Sequence, residues 1–492
     1  MYCIACPSCG ADVSFRAASS VLAVCEYCRS TLVRDADSVR DIGKMAELLD
    51  DYSPLQITSA GRFIDRNFSI VGRIQLRYDA GVWNEWYLLF DDGSGGWLSE
   101  SVGQYVLTLP LGPIDQAPAF DSLAPGQRYR YGSHDFVFSD VRQAQCVAGE
   151  GELPFRVGDG WQARVADARC QQQFLTLDYS DDPARPELFL GQAATLPQLN
   201  MQLLRDNRMI QEKTGKLKGS VATLACPGCA APLDYRAGAA AQLTCGHCGS
   251  QTDVTGDVAT VIGLHKGGGQ APALTLELGA TAQIERIPWT LTGVMVWRED
   301  EDASSEWSEY LLYNVNKGFR WLVESGEGWF LGALMDVWVD SERGGYAALG
   351  QQTFSRACPD YRASVVYAAG AFPWRAKLGD SMLLSEYQSS DRKLRLSREM
   401  NAQELVWTRS DRVEDAAIGG WLNQGPIASR YATGAAAGPG KLKIALTATL
   451  VLLFINLPMA ALGGHFGGRL LVSFIAVALL AMPLFQSATE EE

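Results

Sequence analysis

Residues 6–28 read CPSCGADVSFRAASSVLAVCEYC, and residues 226–248 read CPGCAAPLDYRAGAAAQLTCGHC. Both stretches have the form C-x2-C-x15-C-x2-C, which is the spacing of a four-thiolate zinc site. Two short C-x-x-C turns on facing hairpins place four sulfur atoms about 2.3 Å from one tetrahedral ion. We therefore expect two zinc ribbons, each with one structural zinc ion. The expected ligands are Cys6, Cys9, Cys25 and Cys28 in the first ribbon and Cys226, Cys229, Cys245 and Cys248 in the second.

Two other uses of these cysteines stay open at this point. Each quartet could form two disulfides, or a C-x-x-C pair could be redox-active. A redox motif of the thioredoxin type would lie in a βαβ pattern, which the surrounding residues lack. No secretory signal is visible at the N-terminus, and zinc thiolates suit a reducing compartment. The spacing therefore favours metal binding, with short strands expected at 13–15, 22–24 and 233–235.

The two ribbons are the first elements of a longer internal repeat. A W-x-E segment, a W-L-x-E segment and a P-[FW]-R segment follow each ribbon in the same order. They occupy 83–90, 97–100 and 154–156 in the first copy and 307–313, 321–324 and 373–375 in the second. A solenoid would repeat every 20 to 50 residues or so, and this period is much longer. The chain therefore contains two tandem copies of a ribbon followed by a domain.

The domain that follows each ribbon is expected to be mainly β. Hairpin signals occur at Asp91-Asp92-Gly93 and Asn316-Lys317-Gly318, and no long amphipathic helix interrupts either copy. We expect an antiparallel β-sandwich or a partly open barrel in each copy. The expected boundaries are 1–34 for zinc ribbon 1, 35–58 for a helical linker, 59–199 for β domain 1, 200–220 for a second helical linker, 221–257 for zinc ribbon 2, 272–408 for β domain 2, 409–440 for a flexible linker and 441–486 for a two-helix membrane hairpin.

The repeated segments resemble a bacterial family of domains of unknown function. Members of that family carry a W-x-E-Y-L stretch, a following W-L-x-E stretch and a later L-P-x-R-like element. The resemblance covers about 59–195 and 272–408, and the first copy departs from it by an inserted Trp86 between Glu85 and Tyr87. The resemblance implies a membrane-proximal accessory factor, and it carries over no catalytic residues.

Charged residues inside the repeated motifs are the candidate ligand-binding residues. They are Glu85, Glu100 and Arg156 in the first copy and Glu309, Glu324 and Arg375 in the second. Carboxylates and guanidinium groups among aromatic residues can hold a polar ligand, but they can equally form ion pairs that stabilise a sheet. Convergence of these residues in a pocket would favour ligand binding. Their dispersal over a convex surface would favour a scaffold.

The sequence gives little support for an enzyme or a nucleic-acid-binding protein. Only four histidines occur, and we find neither a phosphate-binding loop nor a G-x-S-x-G motif. The formal net charge is −14, and the second ribbon has no basic stripe. We expect a non-enzymatic scaffold or adaptor that presents duplicated β domains to protein partners. The alternative is a small-ligand binder or an enzyme that uses grooves lined by Glu, Arg and Trp.

Two apolar runs near the C-terminus predict attachment to a membrane. They span 444–462 and 470–485, and the first could cover as a helix most of the roughly 30 Å hydrocarbon core. A buried helical hairpin in a soluble domain is the alternative. Lys441 and Lys443 precede the first run and favour the cytosol for the preceding domains. We therefore expect a multi-pass protein of the cytoplasmic membrane, with ribbons and β domains facing the cytosol.

Overall fold

The computed structural model describes residues 2–35, 38–46, 48, 51–157, 161–214, 216–254, 260–263 and 272–432. The chain divides into two compact units, Met1–Ser429 and Arg430–Glu492, and the fold described below belongs to the first. Among the described residues, no helix has the length and apolar character needed to cross a bilayer. The membrane hairpin predicted at 441–486 lies outside the described residues.

The first copy of the repeat consists of the first ribbon and the first barrel. Its strands are β1 (Tyr2–Ala5), β2 (Asp12–Phe15), β3 (Leu22–Val24), β4 (Ser30–Asp35), β5 (Ser38–Lys44), β6 (Ala60–Phe63), β7 (Arg66–Tyr78), β8 (Gly81–Phe90), β9 (Gly95–Ser101), β10 (Gln104–Pro113), β11 (Arg128–Tyr131), β12 (His134–Leu153), β13 (Gln162–Cys170), β14 (Gln173–Asp178) and β15 (Glu187–Ala194). A short 3₁₀ helix at Phe120–Ser122 precedes β11. The strands expected at 13–15 and 22–24 are confirmed as β2 and β3.

The second copy follows a short helix, α1 (Asn207–Thr214), which lies within the predicted helical linker at 200–220. Its strands are β16 (Val221–Ala225), β17 (Pro232–Arg236), β18 (Gln242–Thr244), β19 (Gln251–Asp253), β20 (Thr260–Gly263), β21 (Thr281–Ile284), β22 (Ile287–Glu299), β23 (Glu306–Asn314), β24 (Gly318–Ser325), β25 (Gly328–Leu334), β26 (Ser341–Arg343), β27 (Tyr346–Leu349), β28 (Gln352–Arg356), β29 (Tyr361–Phe372), β30 (Ser381–Gln388), β31 (Leu394–Met400) and β32 (Leu405–Val413). Helix α2 (Asp415–Trp421) follows the last strand. The strand expected at 233–235 is confirmed as β17.

Each copy closes into an eight-stranded antiparallel barrel. In the first barrel, neighbours pair in the order β7-β8-β9-β10-β15-β14-β13-β12, and β12 pairs again with β7. In the second, the order is β22-β23-β24-β25-β32-β31-β30-β29, and β29 pairs with β22. Closure leaves none of these strands as an unpaired sheet edge. The expected mainly β fold is confirmed, and the choice between a sandwich and a partly open barrel resolves to closed barrels.

In each copy one barrel strand, β12 or β29, continues beyond the barrel and pairs with a strand of the ribbon. A glycine lies at the point where this strand leaves the barrel. Gly151 in β12 has a φ of 70°, and Gly370 in β29 has a φ of 99°. A Cβ atom at either position would lie 2.3 Å from a carbonyl oxygen of the neighbouring barrel strand. At these points β12 begins to pair with β3, and β29 pairs with β18. Each ribbon is therefore continuous with its own barrel.

Two connecting segments differ from the sequence-based expectation. The helical linker predicted at 35–58 contains strand β5, which pairs with β4 of the ribbon. The flexible linker predicted at 409–440 contains the end of β32 and helix α2. Ile418 of this helix is buried in a cluster on the second barrel. In both segments the local structure depends on packing against another part of the fold, which the local amino-acid composition does not reveal.

The barrel strands are covered on both faces, which explains their long apolar runs. In β8, Trp83 and Tyr87 belong to a cluster inside the barrel. Trp86 and Leu88, at the alternate positions, belong to a separate cluster outside it, where Leu199 packs against them. Successive side chains of a strand point to opposite faces. A strand buried on both faces therefore loses the alternation of apolar and polar residues that exposed sheets show.

Candidate metal centres and acidic barrel interiors

The two cysteine quartets are assembled as metal sites. The four sulfur atoms of each quartet lie within 4.8 Å of one another. Two Sγ–Sγ distances in each quartet are 3.6 Å for Cys6–Cys28 and 3.7 Å for Cys9–Cys25, and 3.6 Å for Cys226–Cys248 and 3.7 Å for Cys229–Cys245. Thiolates about 2.3 Å from a tetrahedral zinc lie about 3.8 Å apart. The sulfur atoms fit a zinc ion, and they are too far apart for disulfides, whose S–S distance is about 2.05 Å.

Backbone turns and serine hydroxyls position the cysteine ligands. In the first ribbon the N–H of Gly10 donates to the carbonyl of Cys6 at 2.8 Å, which closes the first C-x-x-C turn. The Ser30 hydroxyl lies 3.3 Å from Cys28 Sγ, and Cys25 is fully buried. The second ribbon repeats the turn and the serine contact. Four thiolates fill a tetrahedral zinc, so these residues suit a structural ion and leave no position open for a substrate.

A buried carboxylate fastens the first ribbon to the first barrel. Glu152, near the end of β12, accepts hydrogen bonds from the backbone N–H groups of Arg16 at 2.7 Å and Ala17 at 3.0 Å. The hydroxyl of Ser20 donates to the same oxygen at 2.9 Å. Sequence reasoning missed Glu152, because it lies in none of the repeated motifs. The second copy attaches its ribbon differently, through amide groups that donate to the carbonyl of Ala376.

The W-x-E motif places an indole and a carboxylate on the same face of a strand. In the first barrel Trp83 Nε1–H donates to Glu85 Oε1 at 2.8 Å. In the second, Trp307 Nε1–H donates to Glu309 Oε1 at 2.8 Å, and Trp297 Nε1–H donates to Oε2 at 3.0 Å. Residues two apart on a strand share a face, which explains why this spacing recurs. Both glutamates point into the barrel interiors.

Further carboxylates from other strands reach the same interiors. They are Asp167 and Asp178 in the first barrel and Glu386 and Glu399 in the second. Burial raises the pKa of Glu85 and Glu309 to about 7, of Asp167 to about 6 and of Glu399 to about 8, and it also raises the pKa of Asp178 and Glu386. All six side chains stay partly accessible, because they line a cavity of about 2930 Å³ that both barrels contribute to.

These interior carboxylates do not form a metal site. In the part of the chain that the structure describes, only the two cysteine quartets bring three or more potential ligand atoms within 4.8 Å of one another. No three carboxylates of either interior are therefore close enough to bind one ion together. The arrangement leaves room for a ligand of several atoms.

Glu100 and Glu324 were expected in a ligand site, and the structure places them on the opposite face. They are 8% and 0% exposed, outside the barrels. The hydroxyl of Ser53 donates to Glu100 at 2.7 Å, and the hydroxyl of Thr275 donates to Glu324 at 2.6 Å. Both hydroxyls belong to the arm that precedes each barrel. These glutamates therefore anchor the arm, and a buried carboxylate needs such donors.

Trp86 is a substitution within the motif and was wrongly interpreted as an insertion. Glu85 and Glu309 occupy the same position of the two barrels, so Trp86 corresponds to Tyr310 and Tyr87 to Leu311. Trp86 Nε1–H donates to Glu100 at 2.9 Å. The Tyr310 hydroxyl makes the same contact with Glu324 at 3.2 Å. An indole and a phenol thus supply one hydrogen bond at equivalent positions.

The two arginine candidates lie in the loops that follow β12 and β29. Arg156 is exposed just after β12. Arg375 is partly buried, and its backbone N–H donates to the carbonyl of Ala80 at 2.7 Å. This bond joins the second copy to the β7–β8 hairpin of the first. The structure therefore uses Arg375 at the junction between the two copies.

A partly buried ion cluster also joins the two copies. The guanidinium of Arg142 lies 2.6 Å from Asp140 and 3.3 Å from Glu404 of the second copy. The backbone N–H of Val141 donates to the carbonyl of Gln403 at 2.9 Å. Burial raises the pKa of Asp140 to about 7. The barrels are thus in direct contact within the first unit.

Replacing Glu309 by Gln should make the protein more stable above neutral pH. Burial raises the pKa of Glu309 from 4.5 to about 7, so the folded state binds this proton more tightly than the unfolded state. The stabilisation of the folded state by this bound proton is fully present below about pH 4.5 and is lost as the pH rises through about 7. Urea unfolding should show that Glu309→Gln loses less stability than the wild type between about pH 5 and pH 8.

The surface variant Glu301→Gln is the matched control, because Glu301 is exposed. It should follow the wild type at every pH. Identical pH dependence in the wild type and Glu309→Gln would show that Glu309 has an ordinary pKa.

The two barrels coincide with two matches to one protein family. The family described as Domain of unknown function (DUF4178) matches residues 57–195 and 277–415, more than half of the chain. The second match extends past the predicted boundary at 408, in agreement with the position of β32. Searches of curated proteins and of solved structures found no match. The chain therefore belongs to the DUF4178 family and contains two tandem copies of its domain.

Proposed function

We propose that this protein is a non-catalytic binding protein whose barrels hold a small polar ligand, while two structural zinc ions stabilise the attached ribbons. The proposal depends on one observation: Glu85 and Glu309, at equivalent positions, meet carboxylates from other strands in the barrel interiors. An eight-stranded barrel is just wide enough to hold one small ligand. Of the six predicted residues, Glu85 and Glu309 lie in the interiors, and their proximity to acids from other strands favours a ligand binder over a convex scaffold surface.

Aromatic rings at one end of each interior support the same function. Trp97 and Phe155 have ring centroids 5.8 Å apart, and Trp321 and Trp374 have centroids 5.5 Å apart. These pairs come from the W-L-x-E and P-[FW]-R segments, so the repeat preserves them. Each interior thus has an aromatic end and an acidic middle. Ligand pockets typically combine a mostly apolar lining with a few placed polar groups.

The test uses N-phenyl-1-naphthylamine, a neutral probe that fluoresces in apolar surroundings. Ser99→Phe fills the first interior and Val323→Phe fills the second, because both side chains line the cavity. Each variant should lose part of the probe binding, and the double variant should lose nearly all of it. Ser133→Phe, in an exposed turn, is the control. Probe binding that survives the double variant unchanged would contradict the proposal.

We also propose that 441–486 attaches the protein to the cytoplasmic membrane, so that ribbons and barrels face the cytosol and meet protein partners there. The two uncharged apolar runs support this proposal, since such runs satisfy their backbone groups in lipid as helices. The cysteine quartets support the cytosolic side, because thiolate ligands need a reducing compartment. An adaptor role would follow from this location.

Membrane fractionation tests the attachment. We expect the full-length protein to stay with membranes in high salt and in carbonate, which remove peripheral proteins. A truncation that ends at Gly440 should be recovered in the soluble fraction with its zinc content unchanged, because both quartets precede it. Release of the full-length protein by carbonate would contradict the attachment.

A further inference from the structure

We propose that the second barrel binds an organic ammonium cation, held by Glu309 and Glu399 beside the rings of Trp297, Trp307 and Tyr361. This inference rests on the ligand-binding function proposed above and names its ligand class. Four kinds of observation support it: charge, ring geometry, an unsatisfied hydroxyl and the spacing of the carboxylates.

Glu309 and Glu399 lack a counter-ion in this interior. Among the described residues, no cationic group lies within 4.0 Å of Glu309 or Glu399. Arg395 lines the same cavity, but it pairs with Glu327 at 2.6 Å and with Glu386 at 3.6 Å. An ionised carboxylate removed from water is costly unless a cation pairs with it. An ammonium ligand would supply the missing positive charge, and protonation of the carboxylates is the competing way to remove the cost.

Three aromatic rings lie around the Glu309 carboxylate. The rings of Trp297 and Trp307 are nearly parallel, with an interplanar angle of 9° and centroids 6.3 Å apart. Tyr361 meets Trp307 edge-on, at 6.1 Å and 89°. The two indole N–H groups hold the Glu309 carboxylate, which fixes it relative to the ring faces. Ammonium groups are attracted to such faces, and the best of them are tryptophans.

An unsatisfied hydroxyl in the same cavity provides an independent sign of a ligand. Tyr313 is 5% exposed, lines the cavity and lies on the same face of β23 as Glu309, four residues or about 13 Å further along the strand. Its buried hydroxyl has no hydrogen-bond partner among the described residues. Leaving a buried hydroxyl without a partner costs about 1–3 kcal/mol. A ligand with a second polar group could recover that hydrogen bond.

The spacing of the carboxylates favours an extended amine over a single metal ion. Glu309, Glu386 and Glu399 come from three different strands, and their oxygen atoms do not all lie within 4.8 Å of one another. A single metal ion could therefore contact only some of these three carboxylates. An alkyl diamine can place separate ammonium groups near separate carboxylates, with its methylene groups against the rings.

Isothermal titration calorimetry of the full-length protein with a series of linear alkyl diamines tests the inference, and diols of equal length are the neutral controls. We expect at least one diamine to bind and the matching diol not to bind. Glu309→Gln and Glu399→Gln should each weaken binding about tenfold or more, since a charged hydrogen bond contributes about 1.5–3 kcal/mol. Glu277→Gln, at an exposed residue that does not line the cavity, is the control and should leave the affinity within about twofold of the wild type. Glu85→Gln, in the first barrel, should weaken diamine binding less than Glu309→Gln does.

The outcomes separate this inference from the function on which it rests. If the neutral probe binds in the interiors and no diamine displaces it, the ligand class is wrong and the binding function stands. If neither the probe nor any diamine binds, both the binding function and the ligand class are wrong. If Glu85→Gln weakens diamine binding as much as Glu309→Gln, the assignment to the second barrel is wrong. Thermal unfolding of each variant shows that lost binding does not reflect lost folding.

Discussion

The Cys25→Ser variant should bind one zinc ion per chain, where the wild type should bind two, and its first ribbon should be unfolded. Four sulfur atoms within 4.8 Å form each site, and a serine hydroxyl cannot replace a buried thiolate. Structural zinc contributes on the order of 10–16 kcal/mol to the folding of small zinc domains. Elemental analysis of the reduced protein measures the zinc content, and limited proteolysis measures the order of the ribbon.

Loss of this zinc should also weaken the first barrel. Glu152 would lose the hydrogen bonds that it accepts from the ribbon loop. Leu22 and Val24 of the ribbon would leave the cluster that they share with barrel residues. Cys3→Ser is the control, because Cys3 is exposed and outside both quartets. Fewer than two zinc ions in the wild type, or two in Cys25→Ser, would contradict the assignment.

Replacing Trp86 by Ala should lower the free energy of unfolding by about 3–5 kcal/mol. Trp86 is 0% exposed, and its indole N–H donates to the buried Glu100. The guanidinium of Arg73 lies 4.6 Å from its ring centroid. Alanine would leave a cavity and remove a hydrogen bond from a buried carboxylate. Chemical denaturation of the two proteins measures the difference.

The duplication provides the control for this prediction. Trp86→Tyr introduces the residue type that occupies the equivalent position in the second copy, where Tyr310 donates to Glu324. A tyrosine can therefore fill part of the volume and restore the hydrogen bond. We expect Trp86→Tyr to be clearly less destabilising than Trp86→Ala. Equal losses would show that the hydrogen bond to Glu100 adds nothing measurable.

The two cysteine quartets could be identified as metal sites from the sequence because their geometry is local. A C-x-x-C turn brings its two sulfur atoms together over four residues, as the bond from Gly10 to Cys6 shows. The hairpin that follows needs only short strands to bring the second turn into place. The W-x-E motif is equally local, because residues two apart share one face of a strand. The motif therefore places Trp83 beside Glu85 whatever the tertiary structure, although the sequence analysis did not predict their hydrogen bond.

The relation between Glu85 and Glu100 could not be predicted in this way, because it depends on the register between two strands. Glu85 pairs with Ser99, so Glu100 pairs with Asn84 and faces outward. A shift of one residue would have exchanged the two faces. The sequence contains both glutamates in repeated motifs, and nothing in the motifs fixes their register. The structure places the two glutamates on opposite faces of the sheet for this reason.

The sequence by itself determined the duplication, the two cysteine quartets and the β class, since each follows from short-range spacing or from repetition. Tertiary structure alone decided that the barrels close and that Asp167, Asp178, Glu386 and Glu399 meet the W-x-E glutamates inside them. These acids lie far from Glu85 and Glu309 in the chain and belong to no motif. Only closure of the barrel, which joins β12 to β7 and β29 to β22, brings residues from opposite walls to face one another across one interior.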